Sequence, residues 1–243
     1  MNIMSKLVLT ALLGVAGLVP ALCGATPIEL AGITEPFHDV TLGLANPGII
    51  RQQFFHEGEL AKRGDVILEL DTRLEELEVT RRKAVMEQDK TVLDSTREVF
   101  QNTKSVSKQD LSKAQAEYDV ARAEYAIAEQ QLADRRLVAP FAGYITEIQL
   151  HPGAACAPYQ PLVRLVDTSR CYFIGHIDGV AAARLKLDEP VKIQVAGGQT
   201  VSAKICFISP VVDAASGLAR IKAVFDNPND AIRPGLAATL VVE

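Results

Sequence analysis

The residues that could carry chemistry in this chain are few and widely scattered. The four histidines are His38, His56, His151 and His176, and none is paired with cysteine or carboxylate at the spacing of a metal site. The sequence also has no Gly-rich phosphate loop, no Gly-x-Ser-x-Gly motif and no Walker lysine. We therefore expect no catalytic, metal-binding or cofactor-binding residues, and we do not expect an enzyme.

The cysteines leave a redox question open. Cys156, Cys171 and Cys206 lie beyond the N-terminal apolar segment, so an oxidising compartment would leave at least one free thiol. Such a thiol is expected to be buried as a small apolar group. A Cys171–Cys206 disulfide is the alternative that the sequence leaves open.

Two of the histidines belong to an internal repeat. Gly48-Ile49-Ile50 runs to His56-Glu57-Gly58, and 95 positions later Gly143-Tyr144-Ile145 runs to His151-Pro152-Gly153. Each copy then runs through apolar residues into Asp-Thr, the second after one inserted residue. Alternating apolar residues and punctuating glycines indicate β-strands and turns. We predict two halves, residues 45–72 and 136–168, that form one pseudo-symmetric β-sandwich, with His56 and His151 in turns.

Between the halves, residues 73–135 change to a helical period. Apolar residues of the second part follow 3-4-3-4 spacing, in which alanine occupies every second seam position. The seam residues are Leu111, Ala114, Tyr118, Ala121, Tyr125, Ala128 and Leu132. The first part is less regular, with Leu74, Leu77 and then the apolar pairs Val85-Met86, Val92-Leu93 and Val99-Phe100.

A break near residues 101–106 divides this segment into two helices. Ser107 followed by Asp110 is typical of a helix start. Two arms of roughly 28 residues would project on the order of 40 Å. An antiparallel coiled-coil hairpin over 73–135 returns the chain to its origin, so the β-halves can meet. The alternative is an exposed coiled coil without a partner.

The two ends of the sequence differ from this middle. Residues 1–25 have Lys6 and an apolar run from 7 to 23, which predicts a signal peptide cleaved after Ala25. A lipid anchor at Cys23 is weaker because Leu22 precedes it, and an uncleaved anchor is the other alternative. The net charge of −5, without a basic patch, argues against a nucleic-acid partner.

The C-terminal part, residues 169–243, predicts a small β-barrel. Turn signals at Gly197-Gly198, Ser216-Gly217 and Asn227-Pro228 separate short apolar runs. The expected strands are Cys171–Asp178, Val191–Val195, Val201–Ile208, Ala219–Asp226 and Ala237–Val242. Val180–Leu187 is a candidate short helix. Residues 26–44 are expected to supply an N-terminal strand to the barrel, although 28–44 could also extend the first half.

The halves resemble those of the biotinyl and lipoyl carrier domains. The shared residues are Glu57-Gly58, Gly64-Asp65 and Asp71 in the first half and Ala139-Pro140-Phe141 in the second. A carrier of that kind bears its cofactor on a lysine between the halves. Here Thr72-Arg73 open the helical insertion instead, so we expect no cofactor.

The nested order of these parts resembles the periplasmic adaptor (membrane fusion protein) family of tripartite efflux pumps and type I secretion systems. The resemblance implies an α+β, mostly β, fold: a split lipoyl-like β-sandwich, an inserted coiled-coil hairpin and a small β-barrel. It implies a Gram-negative periplasmic protein that links an inner-membrane transporter to an outer-membrane channel as a homo-oligomeric ring. The alternative is a secreted coiled-coil interaction protein with no transporter partner.

The tip of the hairpin departs from the family's pattern. Many members carry Arg, then Leu four residues on, then Ser seven further. Here Ser107 and the apolar Phe100 match, whereas Arg97 stands one position late. The resemblance therefore implies a channel contact at Arg97, Phe100 and Ser107 that differs in detail. The sequence ends where the barrel should end, so we expect the barrel to take over contact with the transporter, or the pump to be of a smaller type.

Overall fold

The computed structural model describes residues 28–103 and 105–242. The predicted signal peptide, its cleavage after Ala25 and the Cys23 alternative lie outside these residues. The two long helices are α1 (Arg73–Asn102) and α2 (Lys108–Ala133), and α3 (Gly179–Ala182) is a single turn. The strands are β1 (Ile28–Leu42), β2 (Gly48–Gln53), β3 (Leu60–Ala61), β4 (Val66–Leu70), β5 (Arg136–Val138), β6 (Gly143–Ile148), β7 (Ala155–Cys156), β8 (Val163–Asp178), β9 (Pro190–Val195), β10 (Gln199–Ile208), β11 (Leu218–Asp226) and β12 (Ala237–Val242).

Six strands form the predicted barrel. They pair antiparallel in the order β1-β12-β9-β10-β11-β8, and pairing of β1 with β8 closes the ring. Alternate residues of each strand point inward, which buries one continuous apolar core. Its fully buried large side chains are Phe173, Ile193, Ile205, Ile221 and Leu240. The expectation of a small β-barrel is confirmed.

Two glycines permit this core at the β1–β8 closure. Gly32 and Gly175 are paired across the two strands, and Phe173 lies over both. A Cβ on Gly32 would lie 2.2 Å from the carbonyl oxygen of Ile174 and 2.6 Å from the Phe173 ring. Because real Cβ atoms do not come this close, the position requires glycine.

Strands β1 and β8 run on from the barrel into a second unit, which we call the small β-domain (residues 38–72 and 136–168). There the repeat of the sequence becomes a repeat of hydrogen bonds. Gly58 N–H donates to Ile145 O at 2.7 Å, and its counterpart Gly153 N–H donates to Ile50 O at 2.8 Å. Each half thus donates to the other at matched positions, so the two halves are related by pseudo-twofold symmetry.

The strand pairing obeys the same symmetry. Gly48 pairs with Cys156, and Gly143 pairs with Ala61, so each half lends its short strand to the other. The shared core contains the following buried residues: Ile50, Ile67, Leu68, Leu70, Ile145, Leu162 and Leu165. Neither half could bury these side chains alone.

Helices α1 and α2 pack against each other as an antiparallel pair, which we call the helical pair. The chain reverses between Asn102 and Lys108, at the predicted break. One helical expectation was wrong: the candidate helix Val180–Leu187 is only α3. The chain leaves the helix at Ala183 because Leu185 turns into the barrel core.

Candidate interaction surfaces

The seam between α1 and α2 is narrow and built on alanine. Ala114, Ala121 and Ala128 are buried on α2, at three of the predicted seam positions, and Leu93 is the buried residue of α1. The larger seam residues of α2 are half-buried: Leu111, Tyr118, Tyr125 and Leu132. Small side chains bring two helix backbones close together, so these helices bury little apolar area between them.

On α1, the residues facing α2 alternate between polar and apolar. Apart from the half-buried Glu78, which pairs with Arg81 and Arg82, the half-buried or buried positions are Glu75, Val79, Arg82, Met86, Asp89, Leu93, Thr96 and Phe100. In each of the three apolar pairs seen in the sequence, the second residue faces α2 and the first residue is exposed. Leu74 and Leu77 are also exposed, at 78% and 67%. These two leucines lie outside the seam, which includes the buried Leu93.

Ion pairs join the two helices where apolar contact is sparse. Arg82 bonds Glu78 at 2.7 Å and also Glu124 across the seam. Hydrogen bonds from Arg81 and Arg82 lower the pKa of Glu78 to about 2, so its charge persists in mildly acidic conditions.

At the base of the helical pair, Arg135 bonds Glu75 at 2.5 Å and the carbonyl oxygen of Pro47 at 2.8 Å. This arginine joins both helices to the small β-domain. The three bonded groups come from three separate segments of chain, which fixes where the helices emerge.

An exposed apolar stripe follows the outside of the helical pair. Val85, Val92 and Val99 recur every seven residues on α1, with exposures of 37, 47 and 39%. Val120 and Ile127 repeat the spacing on α2, at 59 and 58%. We call these five residues the outer stripe. A groove of about 370 Å³ runs between Val85 and Val120, so the two helices contribute to one surface.

The predicted tip residues lie at the turn between the helices, where Ser107 is used for capping. Its hydroxyl accepts a hydrogen bond from Asp110 N–H at 3.1 Å, and the Asp110 carboxylate accepts from Ser107 N–H at 3.2 Å. Arg97 donates to Gln115 at 3.1 Å across the pair, and Phe100 is half-buried. Channel contact by Arg97, Phe100 and Ser107 therefore stays a prediction.

The histidines and cysteines are not gathered into a site. His56 and His151 occupy matched exposed turns, as predicted. Cys156, Cys171 and Cys206 are free thiols, so the Cys171–Cys206 alternative was wrong. Burial raises the pKa of Cys171 to about 11, which keeps it a neutral thiol. Within the described residues, no group of His, Cys, Asp and Glu is arranged to hold a metal ion.

Sequence reasoning did not find the joint between the barrel and the small β-domain. Asp230 accepts hydrogen bonds from Tyr144 at 2.7 Å and Thr168 at 2.5 Å, and its carboxylate raises the pKa of Tyr144. Asn229 and Asp230 have φ of 59° and 51°, in the left-handed region. The turn signal at Asn227-Pro228 marked this segment, but its cross-domain partners are 86 and 62 positions away in the sequence.

No helix in the described part of the chain combines the length and apolar character needed to cross a bilayer.

Two sequence comparisons find proteins that are similar to this chain. Residues 177–243 match the model of the CusB-like β-barrel domain. An uncharacterized protein from Haemophilus influenzae is 26% identical over 205 residues, which cover 84% of this chain and 53% of that relative. The chain thus spans about half the length of the curated relative it matches.

Solved structures share the fold at low sequence identity. A MacA-MexA chimera that carries the α-hairpin domain of Pseudomonas aeruginosa MexA gives a TM-score of 0.76 at 18% identity, covering 89% of this chain and 81% of that one. The membrane fusion protein Spr0693 from Streptococcus pneumoniae R6 gives 0.69 at 13%, covering 89% and 99%. MacA from Actinobacillus actinomycetemcomitans gives 0.63 at 20%, covering 89% and 78%.

The split small β-domain, the helical pair and the closed barrel together define a membrane fusion (periplasmic adaptor) fold. Residues 177–243 of its barrel are similar to the CusB-like β-barrel domain, and the resemblance in fold seen in the sequence is confirmed.

Proposed function

We propose that this protein is the periplasmic adaptor of an efflux or export pump and links an inner-membrane transporter to an outer-membrane channel by oligomeric assembly. The observation that carries the proposal is the construction of the helical pair. Its two helices return the chain to the small β-domain, where the two halves pair by matched hydrogen bonds. Such a projection can reach a partner far from the barrel without disturbing the β-core.

The outer stripe supports oligomeric assembly. Its residues repeat every seven positions, which is the spacing of helix-to-helix packing, yet no described element covers them. A neighbouring hairpin in a ring would bury this surface and supply the apolar contact that the alanine seam lacks. In this proposal α1 and α2 form a coiled-coil hairpin that becomes fully stable on assembly.

The small β-domain is, in this proposal, a lipoyl-like scaffold without a cofactor. Thr72 is buried and accepts a hydrogen bond from Arg51, while Arg73 pairs with Asp71. The place where a carrier domain presents its lysine is therefore occupied by the start of α1. We infer a non-enzymatic role in which the domain holds the hairpin and contributes to a ring around the export path.

The location follows from the predicted signal peptide and the proposed partners. We propose a periplasmic protein held at the inner membrane, whose hairpin tip, with Arg97, Phe100 and Ser107, contacts the outer-membrane channel. The barrel would then contact the transporter.

Deletion of residues 73–135 tests the role of the hairpin. Replacing the segment with a short Gly/Ser linker should abolish export in a transport assay, because the reach to the channel is lost. The barrel core lies in a separate cluster, so this variant should retain β-structure in circular dichroism. Export that continues with the deletion would refute the proposal.

A milder change tests the outer stripe without removing the hairpin. Val92→Glu combined with Val120→Glu should reduce export while leaving the unfolding of the isolated chain unchanged, since both side chains are exposed. Thr91→Glu combined with Ala126→Glu, two exposed positions of α1 and α2 that are off the stripe, is the matched charge control. Normal export by the double variant would show that the outer stripe is not an assembly contact. Co-purification without any transporter would favour the interaction-protein alternative.

A further inference from the structure

A second exposed apolar cluster lies on the barrel, far from the hairpin. Val180, Leu187, Val211 and Val212 are exposed at 71, 61, 71 and 44%. We call these four residues the apolar pole. They belong to two connections at one end of the barrel: residues 179–189 after β8, and residues 209–217 between β10 and β11.

The order of the antiparallel strands shows that the apolar pole is at the end of the barrel away from the small β-domain. The opposite end carries the connection from β11 to β12, where Asp230 bonds Tyr144 of the small β-domain. Strand β8 begins at Val163 in the small β-domain and ends at Asp178, next to Val180. The apolar pole and the helical pair therefore lie at opposite ends of the molecule.

The exposed valines are held in place by a network of local hydrogen bonds. Ser209 Oγ donates to Val211 O at 2.7 Å, and Asp213 Oδ1 accepts from Ser216 N–H at 2.8 Å. Gly179 N–H donates to Gly217 O at 3.2 Å, which ties the two connections together. A Cβ on Gly179 would lie 2.8 Å from Val212, so the connections are in close contact. The exposure is a feature of the ordered fold.

The chain also enters the fold at this end. Ile28, the first described residue, begins β1, and the register of Gly32 with Gly175 places it level with the end of β8. In the sequence it follows the apolar run from residue 7 to 23. The predicted signal peptide, for as long as it stays attached, would therefore hold the apolar pole near the membrane.

We propose that the apolar pole inserts into the interface of a lipid bilayer and orients the protein with the hairpin pointing away from it. A group of four exposed aliphatic side chains suits a bilayer, which can adapt its shape to the protein. Arg184 and Lys186 are exposed on the same connection and can reach lipid headgroups. Acidic groups lie there too: Asp178 and Asp213 accept hydrogen bonds from loop N–H groups, and Asp188 and Glu189 follow on the connection. Binding should therefore depend more on apolar contact than on headgroup charge.

This membrane contact is separate from the proposed function, because assembly of the pump does not require it.

The absence of tryptophan from the sequence gives a direct test. Val211→Trp, in the chain from Thr26 onward, would place a single fluorophore at the pole. Its emission should shift to the blue on addition of phosphatidylcholine vesicles, with or without phosphatidylglycerol, and brominated acyl chains should quench it. Gln199→Trp is the matched control, because Gln199 is exposed at the opposite end of the barrel. Its emission should not change.

A second variant measures the contribution of the valines. Val211→Ser with Val212→Ser should lower vesicle binding by about tenfold, the factor expected when part of two valine side chains leaves an apolar environment. Its thermal unfolding should match that of the parent chain. Unshifted emission from Val211→Trp with both kinds of vesicle would overturn the inference. So would a shift seen only in vesicles that contain an inner-membrane transporter, since the partner would then be protein.

Discussion

The barrel and the helical pair differ in how much of their apolar surface they bury. The barrel encloses Phe173, Ile193 and Leu240 within a closed ring of strands, so its core is complete without a partner. The helical pair buries three alanines and Leu93, and leaves its outer stripe exposed. Two helices cannot enclose a core, whereas six closed strands can.

This difference separates a unit whose apolar core is fully enclosed from one that leaves apolar surface exposed. We expect the barrel to unfold as one unit, because its core is closely packed and each large buried side chain contacts several strands. Removing one of these side chains would leave a cavity inside the barrel. The helical pair depends on close backbone approach and on ion pairs such as Arg82 with Glu124. Those pairs are partly exposed and contribute little stability each.

The largest expected effect lies in the barrel. Phe173→Ala should destabilise the protein by about 3–5 kcal/mol, because the ring is fully buried and packs against Gly32 and Gly175. The free energy of unfolding from urea titration, followed by circular dichroism, measures this loss. Phe54→Ala is the control, since Phe54 is 45% exposed and should cost far less. Equal losses would show that the barrel core is not the stabilising unit.

An intermediate effect is expected in the alanine seam. Ala121→Leu should overpack the space between the helices and destabilise them by ~1–3 kcal/mol. Ala123→Leu, two positions away and exposed, should change the free energy of unfolding by less than about 0.5 kcal/mol. Thermal unfolding followed by the far-UV circular dichroism signal of the helices distinguishes the two variants. Unchanged unfolding of Ala121→Leu would show that the alanine face is not the interface.

The smallest effect is expected at the tip. Ser107→Ala should cost about 1 kcal/mol, because the first turn of α2 loses its side-chain cap. Ser112→Ala, at an exposed position inside α2, should be nearly neutral. If both serines behave alike in thermal unfolding, the cap does not contribute to stability.

The cap also gives a pH dependence with a defined sign. Hydrogen bonds from the Ser107 hydroxyl and N–H lower the pKa of Asp110 below its ordinary 3.8. A lowered pKa in the folded state means that this stabilisation is present above pH 3.8 and is lost as the pH falls towards the folded value. The difference in the free energy of unfolding between the parent chain and Ser107→Ala should therefore become smaller in strong acid. A difference that widens instead would contradict the role of the Asp110 carboxylate.

Much of this architecture was predictable because it depends on short-range patterns. The repeat placed matched glycines at positions 58 and 153, and both have positive φ in matched turns. The heptad of alanines located the face of α2 that is buried, and Ser107 located its first turn. The joint at Asp230 was not predictable, because its partners are distant in the sequence and its side chain lies in a turn of ordinary composition.

The sequence by itself determined the period of each segment: twofold alternation in the strands, a heptad in the helices and a break between them. Only the tertiary structure decided which residue of a pair such as Val92-Leu93 faces α2, and which stays exposed. Spacing fixes how often a side chain returns to one face, but the direction of that face is set by the neighbour it packs against. Closure of the barrel by β1 and β8 is decided in the same way, since it joins two strands that the whole helical pair separates in the sequence.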